Sequence, residues 1–260
     1  MNDLAEINTL KYEIAKVAAS SKEGHIASAY SIMDLLWVLY KKILKVEVGH
    51  SLQGDQFILS KGHASLALYA IFVANNIITL EEFQSFGHYE SRLGGHPDCN
   101  KLEQITASTG SLGHGLPIAT GIAMAYKIRE INGRVYCLVG DGECNEGTIW
   151  ESALLASHHK LCNLYCIVDF NHSTDRALSL GDLENKFLAF GWDVISIDGH
   201  NHSEIFNAFS HQAIEKPVAI IANTIKGKGV GMMEGEPAWH HRNPTEQELE
   251  QIQKELSSYA

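Results

Sequence analysis

The chain reads as an α/β protein, an open and mostly parallel sheet with helices on both faces. Three observations predict this. Short apolar runs alternate with stretches of helical periodicity along most of the 260 residues, which is the pattern of successive strand–helix units. Two of those runs, Val135–Val139 and Leu164–Val168, are separated by a helical stretch long enough for one strand-to-strand crossover. Each run then ends in a polar cluster, Gly140-Asp141-Gly142 and Asp169-Phe170-Asn171. Parallel sheets bind ligands at that carboxyl edge.

The elements follow in order. Leu4 to Ala19 carries apolar residues at helical spacing and stops at Ser20-Ser-Lys-Glu-Gly24. Ser31 is expected to cap a second helix, Ile32 to Leu44. Gln56–Leu59 is a short strand running into Ser60-Lys-Gly-His63, and Ala64 to Asn75 is a small-residue helix. Thr79-Leu-Glu-Glu begins another with a capping box. From Phe86 to Gly115 glycines and histidines interrupt any periodicity. Loops of that length in compact domains are usually functional. Leu116 to Ile131 is the next helix, Thr148 to Lys160 spans the central crossover, and Asp182 to Phe190 is a helix ended by Gly191. Strand Asp193–Ile197, helix Ser203–Ile214 and strand Val218–Ala222 complete the pattern, and Thr245-Glu-Gln-Glu248 caps a final polar helix. With no internal repeat or linker in view, residues 1–260 read as a single domain.

Composition narrows the function. The formal net charge of −11 disfavours nucleic acid and anionic membranes, because nothing offsets phosphate repulsion. No apolar run approaches the eighteen or so residues of a membrane span. The amino terminus lacks a signal pattern. The five cysteines form no Cys-x-x-Cys pair, and two lie in apolar strands. A cytoplasmic protein with reduced thiols is therefore expected.

Asp141 and Asn171, at two neighbouring strand ends, form an oxygen-only donor pair, which suits a hard cation holding a phosphate better than zinc. Gly142 would let backbone approach a diphosphate, and the helix beginning near Thr148 would aim amide groups at it. Gly110-Ser-Leu-Gly-His-Gly115 resembles a dinucleotide fingerprint, but the preceding residues make a poor strand and no acidic residue follows at the right distance. A nicotinamide oxidoreductase is thereby disfavoured. Of fourteen histidines, His25, His63, His96 and His240 each follow glycine or tryptophan in a loop. They read as hydrogen-bonding and proton-moving groups around a polar substrate, and they lack zinc spacing. His158-His159 reads as a structural, mid-helix pair.

Taken together, Gly24-His25, Ser60-Lys-Gly-His63, Gly95-His-Pro-Asp98, Ser108-Thr-Gly-Ser-Leu-Gly113, Gly140-Asp-Gly-Glu-Cys-Asn-Glu-Gly147, Asn171 and Trp239-His240 resemble the transketolase family nearly end to end. The likeness is to the amino-terminal, diphosphate-binding subunit of a split transketolase. It implies thiamine diphosphate and Mg2+, or another divalent cation such as Ca2+ or Mn2+. Asp141, Asn171 and the backbone of Ser173 match the metal ligands. His63, Gly110, Ser111, Leu112, Gly142, Glu143, Asn171 and His240 match cofactor contacts, and His25, His96 and His240 the catalytic histidines. Glu146 and Glu151 match acidic residues at the dimer contact. The activity implied is transfer of a two-carbon ketol unit from a ketose or its phosphate to an aldose. A separate carboxyl-terminal subunit, in an α2β2 heterotetramer, would supply the pyrimidine-binding domain and the glutamate that activates the cofactor. A deoxyxylulose phosphate synthase-like or 2-oxo acid-processing subunit, or a non-catalytic cofactor-binding partner, is the alternative. The chain departs from the family pattern in four places, one of them His114, where glutamine is common. Gly-His-Pro-Gly becomes Gly24-His-Ile-Ala27. Trp-His-Gly becomes Trp239-His240-His241, so either histidine could face the thiazolium. The segment after Asn171 is shortened, which hints at a specialised sugar.

Overall fold

The computed structural model describes residues 3–45, 54–175 and 177–258; residues 1–2, 46–53, 176 and 259–260 of the expected 1–260 domain lie outside them. Among the described residues five strands form one sheet: β1 (Gln56–Leu59), β2 (Val135–Gly140), β3 (Leu164–Phe170), β4 (Asp193–Asp198) and β5 (Val218–Asn223). All pair in parallel, in the order β1-β2-β3-β5-β4.

Alternating side chains along each strand enter two separate cores, as strand geometry requires. Phe57, Leu59, Tyr136, Leu138, Tyr165, Ile167 and Ile220 join one core. Helices α1 (Asp3–Ser21), α2 (Ile26–Val38), α3 (Ser65–Ala74), α8 (His202–Ser210) and α9 (Glu246–Ser258) supply its other half. Ile58, Cys137, Val139, Cys166, Val168 and Ile221 join the opposite core, with α5 (Gly115–Ile128), α6 (Gly147–His158) and α7 (Leu183–Ala189). The short α4 (Leu80–Gln84) packs beside α3 and is capped by Thr79 Oγ1, which accepts from Glu82 N–H.

Handedness fixes which helix covers which face. Moving from β2 to β3 and on to β4, right-handed crossovers put α6 and α7 on one side; the return from β4 to β5 puts α8 on the other. The chain therefore leaves β1 and β5 toward one face and β2 and β3 toward the opposite one. Such reversals open a crevice at the carboxyl edge of the sheet.

The second helix differs from its sequence expectation. It begins at Ile26, with His25 as its first flanking residue, and ends at Val38 in a π turn, Leu39–Ile43. Ser31 is not a cap but a buried mid-helix residue whose hydroxyl donates to Ser28 O and to Asp169 Oδ2. Tertiary contacts supplied the partner that the local pattern assigned to the backbone. His158 and His159 close α6 instead of lying mid-helix, and α8 ends at Ser210, four residues before the expected stop. At the last helix the capping box forms as expected: Thr245 Oγ1 accepts from Glu248 N–H, and Glu248 Oε2 accepts from Thr245 N–H.

Candidate active site

The crevice floor is made by the ends of β1, β2, β3 and β5, and Asp169 joins them. Its fully buried carboxylate accepts from Lys61 Nζ, from Ser31 Oγ at 2.8 Å, from Asn171 Nδ2 at 3.0 Å and from Thr224 Oγ1. A charge placed this deep persists only because every oxygen is paired. The network also turns the amide of Asn171, leaving its oxygen to face the opposite way.

There Asn171 Oδ1 accepts from Ser173 N–H at 3.0 Å, and Ser173 Oγ donates to Asp141 Oδ1 at 3.1 Å. Asp141, Asn171 and Ser173 are thus linked in a chain of single hydrogen bonds, although they come from the ends of two strands. The group is one carboxylate, one amide oxygen and a nearby backbone, all hard oxygen donors, so it fits a small divalent cation. Gly142 beside it faces open space, since a Cβ there would meet nothing within 4 Å. Backbone is bare at the point where a diphosphate would approach.

Lys226 links this corner to the histidines. Its Nζ lies 2.8 Å from His240 Nδ1. Burial first, and then the neighbouring Lys61, push its amine down to about 8, while Asp141 and Asp169 pull the other way. His25 and His63 rings are 5.0 Å apart, His25 and His240 5.6 Å, and His25 and His241 4.7 Å. Burial and the surrounding imidazoles hold His25 down at about 4, and burial with Lys61 holds His63 at about 2. His240 is lowered for the same reasons, burial and then Lys226. The rings of His25, His63 and His240 are therefore neutral at physiological pH, and each offers both a donor and an acceptor, which suits sugar hydroxyls.

His96, from the long loop, sets its ring against Gly62 and Gly110, close enough to help lower His25. That loop is pressed onto β1: a Cβ on Gly62 would come within 2.7 Å of Thr109 Oγ1 and 3.1 Å of Gly110 N, so only glycine fits. Glu143 holds the loop's far end. Its buried Oε1 accepts from Gly113 N–H at 2.9 Å and from Ser60 Oγ at 2.6 Å, and Oε2 accepts from Gly140 N–H at 2.8 Å. Of the expected cofactor residues, Glu143 therefore turns its side chain into the scaffold and away from the crevice. With Gly113 pinned, Ser111 and Leu112 are left exposed at the rim. Glu146 and Glu151 are exposed at the start of α6.

Sequence reasoning passed over Lys61, Asp169, Lys226 and the placement of His241. One signal was available: a charged residue inside or next to an apolar strand run, at Asp169 and Lys61, is too costly to bury without a partner. Among the described residues, no group of three or more His, Cys, Asp or Glu could hold a metal ion. No helix among them is long and apolar enough to cross a membrane.

Comparison with known proteins places this geometry. Residues 3–259 match the family model described as transketolase, thiamine diphosphate binding domain. An apulose-4-phosphate transketolase subunit from Phocaeicola vulgatus is 36% identical over 253 residues, covering 94% of this chain and 90% of its own. The 6-deoxy-6-sulfo-D-fructose transketolase subunit SqwG of a Clostridium species is also 36% identical, covering 86% of this chain and 85% of its own. The crystal structure of transketolase from Campylobacter jejuni superposes with a TM-score of 0.91 at 31% identity, covering 99% of this chain but 43% of that one. The chain belongs to the transketolase family, as the thiamine diphosphate-binding, amino-terminal subunit of the split type.

Proposed function

We propose that this subunit carries the diphosphate and thiazolium side of a two-carbon ketol transferase, and that it works only with a second subunit. The observation that carries the reading is the meeting, at one sheet edge, of the Asp141–Ser173–Asn171 oxygen group, the amine of Lys226 and the ring of neutral imidazoles.

In this reading Asp141, Asn171 and the Ser173 backbone hold Mg2+, and Lys226, Gly142 and His63 hold the diphosphate. Thiamine diphosphate, when bound, supplies the nucleophilic carbon and the electron sink. The chain's own residues orient it and manage protons. His240, committed to Lys226, belongs to the cofactor side. His25 and His241, packed against each other, face the sugar. Neutral His25 can accept a proton from a donor hydroxyl as the carbon–carbon bond breaks, and His96 can hydrogen-bond the same substrate end. Gly110, Ser111 and Leu112 form the rim toward the partner's pyrimidine domain.

We take residues 1–260 as one domain of an α2β2 assembly in the cytoplasm, with the activating glutamate brought by the partner. The donor we favour is a specialised ketose with an anionic substituent, as the names of the phosphate- and sulfonate-sugar relatives suggest.

The test combines the purified chain, its partner subunit, thiamine diphosphate and Mg2+. Two-carbon transfer between sugars is expected from the mixture, and neither protein should achieve it without the other. Asp141→Ala should abolish Mg2+-dependent cofactor binding by calorimetry. A complex that binds the cofactor yet transfers nothing from any ketose would overturn the reading.

A further inference from the structure

Beside the crevice the buried Asp34 joins two half-buried histidines, His200 and His202, to which the proposed mechanism gives no part. Asp34 stands on α2, the helix whose first turn follows His25. Its Oδ2 lies 2.9 Å from His200 Nδ1, and its Oδ1 lies 2.8 Å from His202 Nε2. Burial alone would raise this carboxyl, but the bonds from His200 and His202 outweigh it and hold it below the ordinary range. The other nitrogen of His200, Nε2, accepts from the backbone N–H of Ile225 at 2.9 Å.

These contacts determine the tautomer. A backbone N–H can only donate, so Nε2 must be bare, and the nitrogen facing a carboxylate must carry the proton. His200 is then a neutral two-ended bridge from α2 to the residue immediately before Lys226.

The segment it holds is also tied on either side, and Thr224 N–H donates to Phe170 O at 3.2 Å. Thr224 Oγ1 donates to Asp169 Oδ1, and Gly227 N–H donates to Ala27 O at 2.9 Å. Lys226 lies between those two fastenings, with the Ile225–His200 bond at its own amino side. Without that bond, the Ile225 N–H loses its acceptor, and the backbone entering Lys226 keeps only its carbonyl-side ties, Lys228 N–H to Ile225 O at 3.1 Å and Gly235 N–H to Lys226 O at 3.0 Å.

We propose that His200, oriented by Asp34, is a positioning residue for the diphosphate subsite: it fixes the backbone at Ile225 so that Lys226 faces the bound diphosphate. This rests on the reading of Lys226 given under the proposed function.

The experiment measures affinity for thiamine diphosphate with Mg2+ by calorimetry, on the complex with its partner subunit. Asparagine places its amide near the Nδ1 position, so His200→Asn keeps a donor to Asp34 and leaves Ile225 N–H unpaired. Glutamine places its oxygen near the Nε2 position, so His200→Gln restores that acceptor. Affinity should fall about tenfold in the first variant and stay within about threefold of wild type in the second. In a Lys226→Met background the further change from His200→Asn should be under about twofold, because the effect runs through Lys226. Equal losses in both variants, no loss in either, or a full penalty surviving in the Lys226→Met background would each overturn the proposal. A wild-type complex that fails to bind thiamine diphosphate would instead overturn the proposed function.

Discussion

Lys226 and His241 are the residues on which the site's chemistry turns. Lys226 is buried beside Lys61, which is why its amine is pushed down to about 8, and its Nζ lies 2.8 Å from His240 Nδ1. Its cationic form attracts a diphosphate, so affinity should hold below that pH and weaken as pH rises through it. Binding at a pH of about 8.5 should therefore take up a proton, because the bound anion draws the amine back toward its ordinary value. Calorimetry in two buffers of different ionisation enthalpy reads this directly, and Lys226→Met should remove the uptake and cost about tenfold or more in affinity. His241, packed on His25 where the family pattern has glycine, tests the division between sugar and cofactor sides. His241→Gly should lower kcat/KM for the ketose about tenfold, the worth of a hydrogen bond, with cofactor affinity unchanged. Loss of cofactor affinity with normal turnover of the bound fraction would reverse the two histidines' roles. Asp141, Asn171 and the loop histidines could be named from sequence because each follows a strand end, a glycine or a tryptophan. Lys226 could not, nor could the choice between His240 and His241, since nothing local says which way an irregular segment folds back.

At the scale of elements, the site depends on how loops are fastened to strand ends. Glu143 ties the Gly110–Gly113 loop, the end of β1 and the end of β2 through one carboxylate. Glu143→Ala strands two buried backbone N–H groups. A loss of about 2–4 kcal/mol is expected in denaturant unfolding, together with weaker cofactor binding in the complex. Unchanged stability would show the loop to be held by other means. The same contacts explain why strands were legible and helix starts less so. An apolar run flanked by glycine or aspartate declares itself over a few residues. The start of α2 did not, because Ser31 looks like a cap until Asp169, 138 residues away, is seen to claim its hydroxyl.

For the whole molecule, the sheet's reversals create the crevice, and the outer face of α6 is left uncovered. Leu154 and Leu155 are exposed there at 62% and 45%, next to the exposed Glu151. Exposed apolar residues gathered on a single helix face suit a protein partner. Leu154→Glu should weaken assembly with the second subunit by about tenfold or more in sedimentation experiments, while the chain's own melting temperature stays within about 2 °C. A drop in melting temperature without loss of assembly would place the partner elsewhere.

The amino-acid sequence alone determined the α/β class, the order of strands and helices, and the strand-end pair Asp141 and Asn171. Those features are written in local periodicity and in residues that stop a strand. Tertiary structure alone decided that Lys61 and Asp169 form a buried pair and that Lys226 swings back to His240. It also decided that Glu143 turns inward and that His241 stands against His25. Most of those contacts join groups far apart in the chain, made only where crossovers of fixed hand bring four strand ends to one edge.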